Sequence, residues 1–146
     1  MRSPVAQFAA AILTLTGVTL VCFHSLVRHP GAVLIGPQRG GENDLTGYFI
    51  PIHSFPRQCM ADYGQWPLWN AQILGGQPFA ADPLAGMWYP PNLLLLPRSV
   101  PLPFAFNLLF VLHFAWAGYG LFLFLCDEGL NPGPALLGSA AFMGTP

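Results

Sequence analysis

FAFNLLFVLHFAWAGYGLFLFLC, residues 104–126, decides the architecture, because it runs from first to last without a formal charge. At a rise of ~1.5 Å per residue, such a helix covers the ~30 Å of a bilayer's hydrocarbon. Pro101 and Pro103 stand just before it, where proline is tolerated because first-turn N–H groups have no helical partner. Asp127, Glu128 and Gly129 close it. A second uncharged run, VAQFAAAILTLTGVTLVCFHSLV at 5–27, predicts another spanning helix. Its apolar stretch exceeds the ~7–15 residues of a signal-peptide core and no small-x-small cleavage site follows, so it reads as a signal anchor. Val21 before Cys22 also argues against lipoprotein processing.

The whole composition agrees with these two runs. Charged residues make up 8% of the 146-residue chain, against a usual ~25%. The net charge is −1 and there is no lysine. That excludes the phosphate loop of nucleotide hydrolases, Schiff-base chemistry and Ser/Lys dyads. Nucleic acid is excluded as a partner too, since it needs clustered basic residues. Cys22, Cys59 and Cys126 have no metal-ligand spacing, so no metal–thiolate site is expected and they read as small apolar residues.

After the second span, Asn131-Pro132-Gly133-Pro134 predicts a turn leading into ALLGSAAFMG, the start of a third span over 134–146. The expectation is therefore an all-α membrane protein, with transmembrane helices at 5–27 and 104–126 and a polypeptide truncated within its third helix. Orientation is not legible from charge. Arg2 marks a cytoplasmic N-terminus, yet Arg28, Arg39 and Arg98 lie on the loop side of the spans.

The long loop over 28–102 carries the chemistry. Its first polar segment, Arg39-Gly40-Gly41-Glu42-Asn43-Asp44, reads either as a solvated loop or as a site at the membrane boundary. Tyr48, Ile52, Phe55, Cys59 and Tyr63 then recur at steps of three and four, predicting an interfacial helix with His53 and Arg57 towards water. Pro51 and Pro56 are expected to shorten or kink it. Next come PLWN (67–70), GGQPF (75–79), ADP with Asp82, and MWYPPN (87–92). These segments fit an aromatic belt with rigid turns. They fit equally a saccharide platform, with Trp69 and Tyr89 against sugar C–H faces and Asn70, Gln77 and Asp82 bonding hydroxyls.

Asp44 followed in order by PLWN, GGQPF, ADP, G-x-WYPPN and LP (96–97) resembles the YfhO-type family of bacterial membrane proteins; LHFAWAGYGLFLFL (112–125) and ALLGSAAF (135–142) fit the same pattern. The resemblance runs from about Gly41 onward. Ala71 departs from it where proline is common, Leu84 where glutamine is common, and the acidic Asp127-Glu128 turn where arginine is usual.

The resemblance implies a multi-pass protein of the inner (plasma) membrane, like the GT-C glycosyltransferases, with a large first extracytoplasmic loop. Its implied activity is transfer of a sugar from a polyprenyl-phosphate carrier to a cell-surface glycan, lipid or protein acceptor. Asp44 matches the catalytic acid of the first external loop, and Asp82 a second recurrent acid. A carboxylate can take the acceptor proton. Arginine can bind the departing phosphate bidentately, and Arg39, Arg57 and Arg98 are the candidates. A divalent cation bridging Asp44, Glu42 or Asp82 to phosphate is a further option. His53 reads as exposed, and His113 as a helix-packing or functional group in the second span. Activity is expected only from a longer protein. The alternative is a non-catalytic flippase or assembly subunit that binds a glycan or partner through the loop.

Overall fold

The computed structural model describes residues 4–32 and 44–144, and it is all-α, with no strand among those residues. Its elements are α1 (Pro4–Cys22), α2 (His24–Arg28), a π-helical turn (Leu45–Phe49), α3 (Ile50–Tyr63), α4 (Leu102–Asp127) and α5 (Pro132–Met143). Short 3₁₀ turns at Phe79–Ala81 and Pro90–Leu95 punctuate the stretch between α3 and α4. The chain divides into two compact units: Met1–His29 with Phe110–Pro146, and Pro30–Leu109.

In the first unit, apolar helices pack through two kinds of contact. Against α4 the contacts are large rings: Phe8 of α1 meets Phe122, and Phe23, just after α1, meets Phe114 edge-on, at centroid distances of 5.6 and 5.0 Å. The Thr16 and Tyr119 hydroxyls are hydrogen-bonded between the same helices. Helices α1 and α5 bury the larger Leu15 and Met143 together with small residues, Ala11, Ala135 and Ser139, and small side chains let helix backbones approach closely. Ser139 and Thr19 satisfy their hydroxyls locally by donating to the carbonyls of Ala135 and Leu15, at 2.9 Å each.

Helix α4 has 26 residues and is the one described helix long and apolar enough to cross a membrane. Its end is a Schellman motif: Leu130 N–H donates to Leu125 C=O, Gly129 N–H to Cys126 C=O, and Gly129 takes the left-handed φ of 91°. The expected continuous helix over 5–27 is interrupted. Phe23 turns out of the helix at φ −104°, ψ 22°, and the His24 ring lies 3.0 Å from the Val21 carbonyl three residues back. Pro132 to Pro134 form the first turn of α5 rather than a turn before it, with Asn131 as the flanking residue.

In the second unit, α3 is buried on two sides. Ile52 and Phe55 pack with Phe79, Ala85 and Met87 of the downstream loop. Leu45, Phe49 and Ile50 pack with Leu95 and with Leu102, Ala105, Phe106 and Leu109 of α4. This overturns the expected orientation of the interfacial helix. His53 and Arg57 face inward, 5% and 9% exposed, while Tyr63 from the predicted apolar face is exposed. The surface that periodicity assigns to water is covered by a segment some forty residues downstream, which no local pattern reports. Pro51 has no N–H to offer the carbonyl of Gly47, and the turn before it widens to the π register. Pro56 is accommodated inside α3, fully buried.

The candidate site: a groove between α3 and a braced hairpin

The motif-rich segment folds as an irregular hairpin. Asn70 and Gln77 exchange backbone hydrogen bonds at 2.9 Å, and Ala80 N–H donates to Leu68 C=O. This pairing explains the spacing of PLWN and GGQPF: they are the two arms of one turn. Asn70 Oδ1 accepts from Gln72 N–H at 2.9 Å, bracing the turn from inside. Gly76 has φ 116°, and a Cβ there would sit 2.8 Å from the Trp69 indole, so only glycine fits. The later motifs close their own loops. Trp88 Nε1 donates to Ala80 C=O at 2.7 Å, and Asn92 Nδ2 to Gly86 C=O at 3.0 Å. Asp82 Oδ1 accepts from Leu84 N–H at 2.9 Å.

Between this hairpin and α3 lies a groove of about 600 Å³. Tyr48, Phe55 and Gln58 line it from the π turn and α3, and Asn70, Gln77 and Asp82 from the other side. Tyr48 Oη donates to Asp82 Oδ2 at 3.4 Å, a long bond between partly exposed groups. Partial burial, the negative charge of the neighbouring Asp82 carboxylate and its hydrogen bond with the phenol raise the Tyr48 pKa above its ordinary value. Among the described residues, no basic side chain lines the groove.

Of the residues predicted to bind a substrate, Asn70 and Asp82 therefore come together, with Gln77 beside them, and the other described ones lie elsewhere. Asp44 is exposed at the head of the π turn and does not line the groove. Arg39 and Glu42 lie outside the described residues. Trp69 stacks over Gly76, and Tyr89 is exposed beyond the groove. Arg98 is committed to a two-pronged ion pair with Asp62 at 2.7 and 3.0 Å. Arg57 is an internal strut: its Nε donates to Leu95 C=O, its Nη2 is buried without a hydrogen-bond partner among the described residues, and burial lowers its pKa. His53, expected in water, lies edge-on to Phe106 at 5.3 Å, and burial lowers its pKa to about 4. His113 is half-buried on α4.

Sequence reading misses Tyr48 as the partner of Asp82, and Asp62 as the partner of Arg98. Both pairs span more than thirty residues, so no local spacing announces them. Among the described residues no three His, Cys, Asp or Glu side chains gather as a metal site. The three cysteines are unpaired, and burial together with Asp62 raises the Cys59 thiol pKa. No known family profile, curated protein or solved structure matches this chain.

Proposed function

We propose that this chain is a membrane-embedded saccharide-handling protein whose groove binds a neutral sugar, within a glycosyltransferase of the GT-C kind. The observation that carries this reading is the groove's chemistry. Gln58, Asn70, Gln72 and Gln77 offer donors and acceptors together, Asp82 adds a carboxylate, Tyr48 and Phe55 add ring faces, and among the described residues no cation lines it to hold an anion. Such a lining suits vicinal hydroxyls on an uncharged ring, and it suits phosphate poorly. The phosphate end of a lipid carrier would then lie outside the groove.

Membrane embedding is supported by the first unit. It exposes Leu13, Val21, Trp116, Leu123, Phe124 and Leu137 around α1, α4 and α5, an apolar surface that water would penalise. The multi-pass inner-membrane location and transfer from a polyprenyl-phosphate carrier rest on the motif resemblance. Asp44 keeps its proposed role as the essential acid on that ground alone, and Asp82 is the acid that the groove's geometry favours. The alternative, a glycan-binding assembly subunit without catalysis, gains from the groove's having, among the described residues, a single carboxylate.

The test is glycan binding and transfer by the intact membrane protein carrying Asp82→Asn, Tyr48→Phe or Asp44→Asn. Loss of glycan retention with Asp82→Asn supports the groove as the sugar site; unchanged retention overturns it. Loss of transfer with Asp44→Asn, with retention intact, favours the enzyme over the assembly subunit.

A further inference from the structure

The hairpin over 70–77 ends in a residue that the fold itself does not use. Leu74 sits at the apex, 93% exposed, with a left-handed φ of 52°. Glycine or asparagine occupies that conformation readily, whereas leucine does so at a cost. Its apolar neighbours on the same hairpin, Trp69 and Ile73, are exposed too. Meanwhile the base of the hairpin is braced by the Asn70–Gln77 pair and by the Asn70 side chain, so the apex is held out rather than left loose.

We propose that this apex inserts into the headgroup region of a lipid bilayer and holds the mouth of the groove at the membrane surface. Three observations select lipid as the occupant. From residue 64 to residue 97 the chain carries one charge, Asp82, so the apex offers nothing for a charged protein surface to pair with. Leucine and isoleucine have no polar atom to satisfy a glycan, and tryptophan is the side chain that suits a headgroup boundary. The second unit also continues into α4 through the Pro90–Leu95 turn. That turn buries Leu95 against Leu102, Ala105 and Phe106 of α4 and leaves Leu93 and Leu94 exposed. Exposed apolar residues therefore stand within ten positions of the helix that is long enough to span a bilayer, with the half-exposed Arg98–Asp62 ion pair between them and its first residue.

Ile73 and Leu74 also line the groove. Docking them in the headgroups places the sugar site beside the plane in which a lipid-linked saccharide presents its ring. This extension rests on the reading of the chain as membrane-embedded. An apex of this size reaches about 5–10 Å into the headgroup–acyl boundary, and its lack of basic residues makes insertion independent of anionic lipid and of salt.

The experiment uses the intact protein in phosphatidylcholine vesicles, with Cys22, Cys59 and Cys126 replaced by alanine. A polarity-sensitive fluorophore is placed at Leu74→Cys, at Gln65→Cys as an exposed control, or at Leu112→Cys in α4. Quenching is read from lipids carrying a nitroxide near the headgroup or deep in the chain. The expected result is severalfold stronger quenching at position 74 than at 65 by the shallow nitroxide, unchanged between low and high salt. Equal quenching at 65 and 74, or protection of 74 only when a glycan or another protein is added, overturns the proposal. Quenching at 112 by the deep nitroxide reports the membrane reading separately. If 112 is quenched and 74 is not, the apex proposal alone falls; if 74 is quenched and 112 is not, the spanning reading falls. Leu74→Asn suits the left-handed backbone better than leucine, so it keeps the hairpin folded. It should cut the quenching of a fluorophore at Ile73→Cys severalfold, and unchanged quenching in that variant counts against insertion.

Discussion

The two units of this chain solve the problem of helix packing in opposite ways. The first joins α1, α4 and α5 through small residues, rings and the buried Leu15 and Met143, turns many of its larger aliphatics outward, and keeps its buried Thr19 and Ser139 hydroxyls on local carbonyls. The second buries polar groups. His53, Arg57, Asn70 and Asn107 all lie inside it, and each is tied to backbone or to a ring from a distant or looping segment. Asn107 Nδ2, for example, donates to the carbonyls of both Pro30 and Ala32, at 2.9 and 2.7 Å. The contrast teaches where irregular backbone can exist. Helices satisfy their own amide groups, so the first unit needs no polar interior. A segment of turns and short helices leaves carbonyls such as Leu95 to be met by side chains, and those side chains must then be buried.

The comparison breaks most directly at Arg57. Truncation by Arg57→Ala removes the donor to Leu95 C=O and opens a cavity, and should destabilise the second unit by about 3 kcal/mol. Chemical unfolding followed by fluorescence in detergent checks this, and a loss below about 1 kcal/mol would contradict the strut assignment.

Glycine substitution tests both units with one chemistry. Gly76→Ala must place a side chain at φ 116° against the Trp69 ring, and should cost about 2 kcal/mol. Gly118→Ala in α4 meets only the flexible end of Met143, and alanine's helix preference offsets that contact, leaving a change within about 1 kcal/mol. Equal losses at the two positions would erase the distinction between a strained turn and a yielding helix contact.

Acid should separate the units as well. The unfolded chain protonates His53 near its ordinary pKa of about 6.5, whereas the folded chain resists until about pH 4. Stability from the neutral buried ring is thus fully present above about pH 6.5 and is lost as pH falls towards 4. With allowance for screening, the loss is about 2 kcal/mol. His53→Phe should flatten that slope in a pH series of unfolding midpoints. The smallest effect is expected at the surface: Arg98→Ala breaks a half-exposed pair with Asp62 and should change stability by less than about 1 kcal/mol.

Much of the first unit is legible in the sequence, because α4 and most of α1 are long charge-free runs and Gly129 signals the end of α4. The second unit is legible only as a list of motifs. PLWN, GGQPF and WYPPN mark where turns occur, and they prove to be chiefly the means of building those turns. Asp82 is legible as an acid of interest, but its neighbours Tyr48 and Gln58 are not. Their proximity depends on α3 folding back beside residues more than twenty positions away.

By itself, then, the sequence determined the helical class, the spanning length of α4 and the positions of the turns between α3 and α4. Each of these depends on local charge, local backbone preference or hydrophobic run length. Only the tertiary structure decided that His53 and Arg57 point inward, that Arg98 is already paired, and that Asp82 rather than Asp44 shares a groove with amides and rings. Those outcomes depend on which distant segment covers a helix face, and a helix's own periodicity holds no record of its cover.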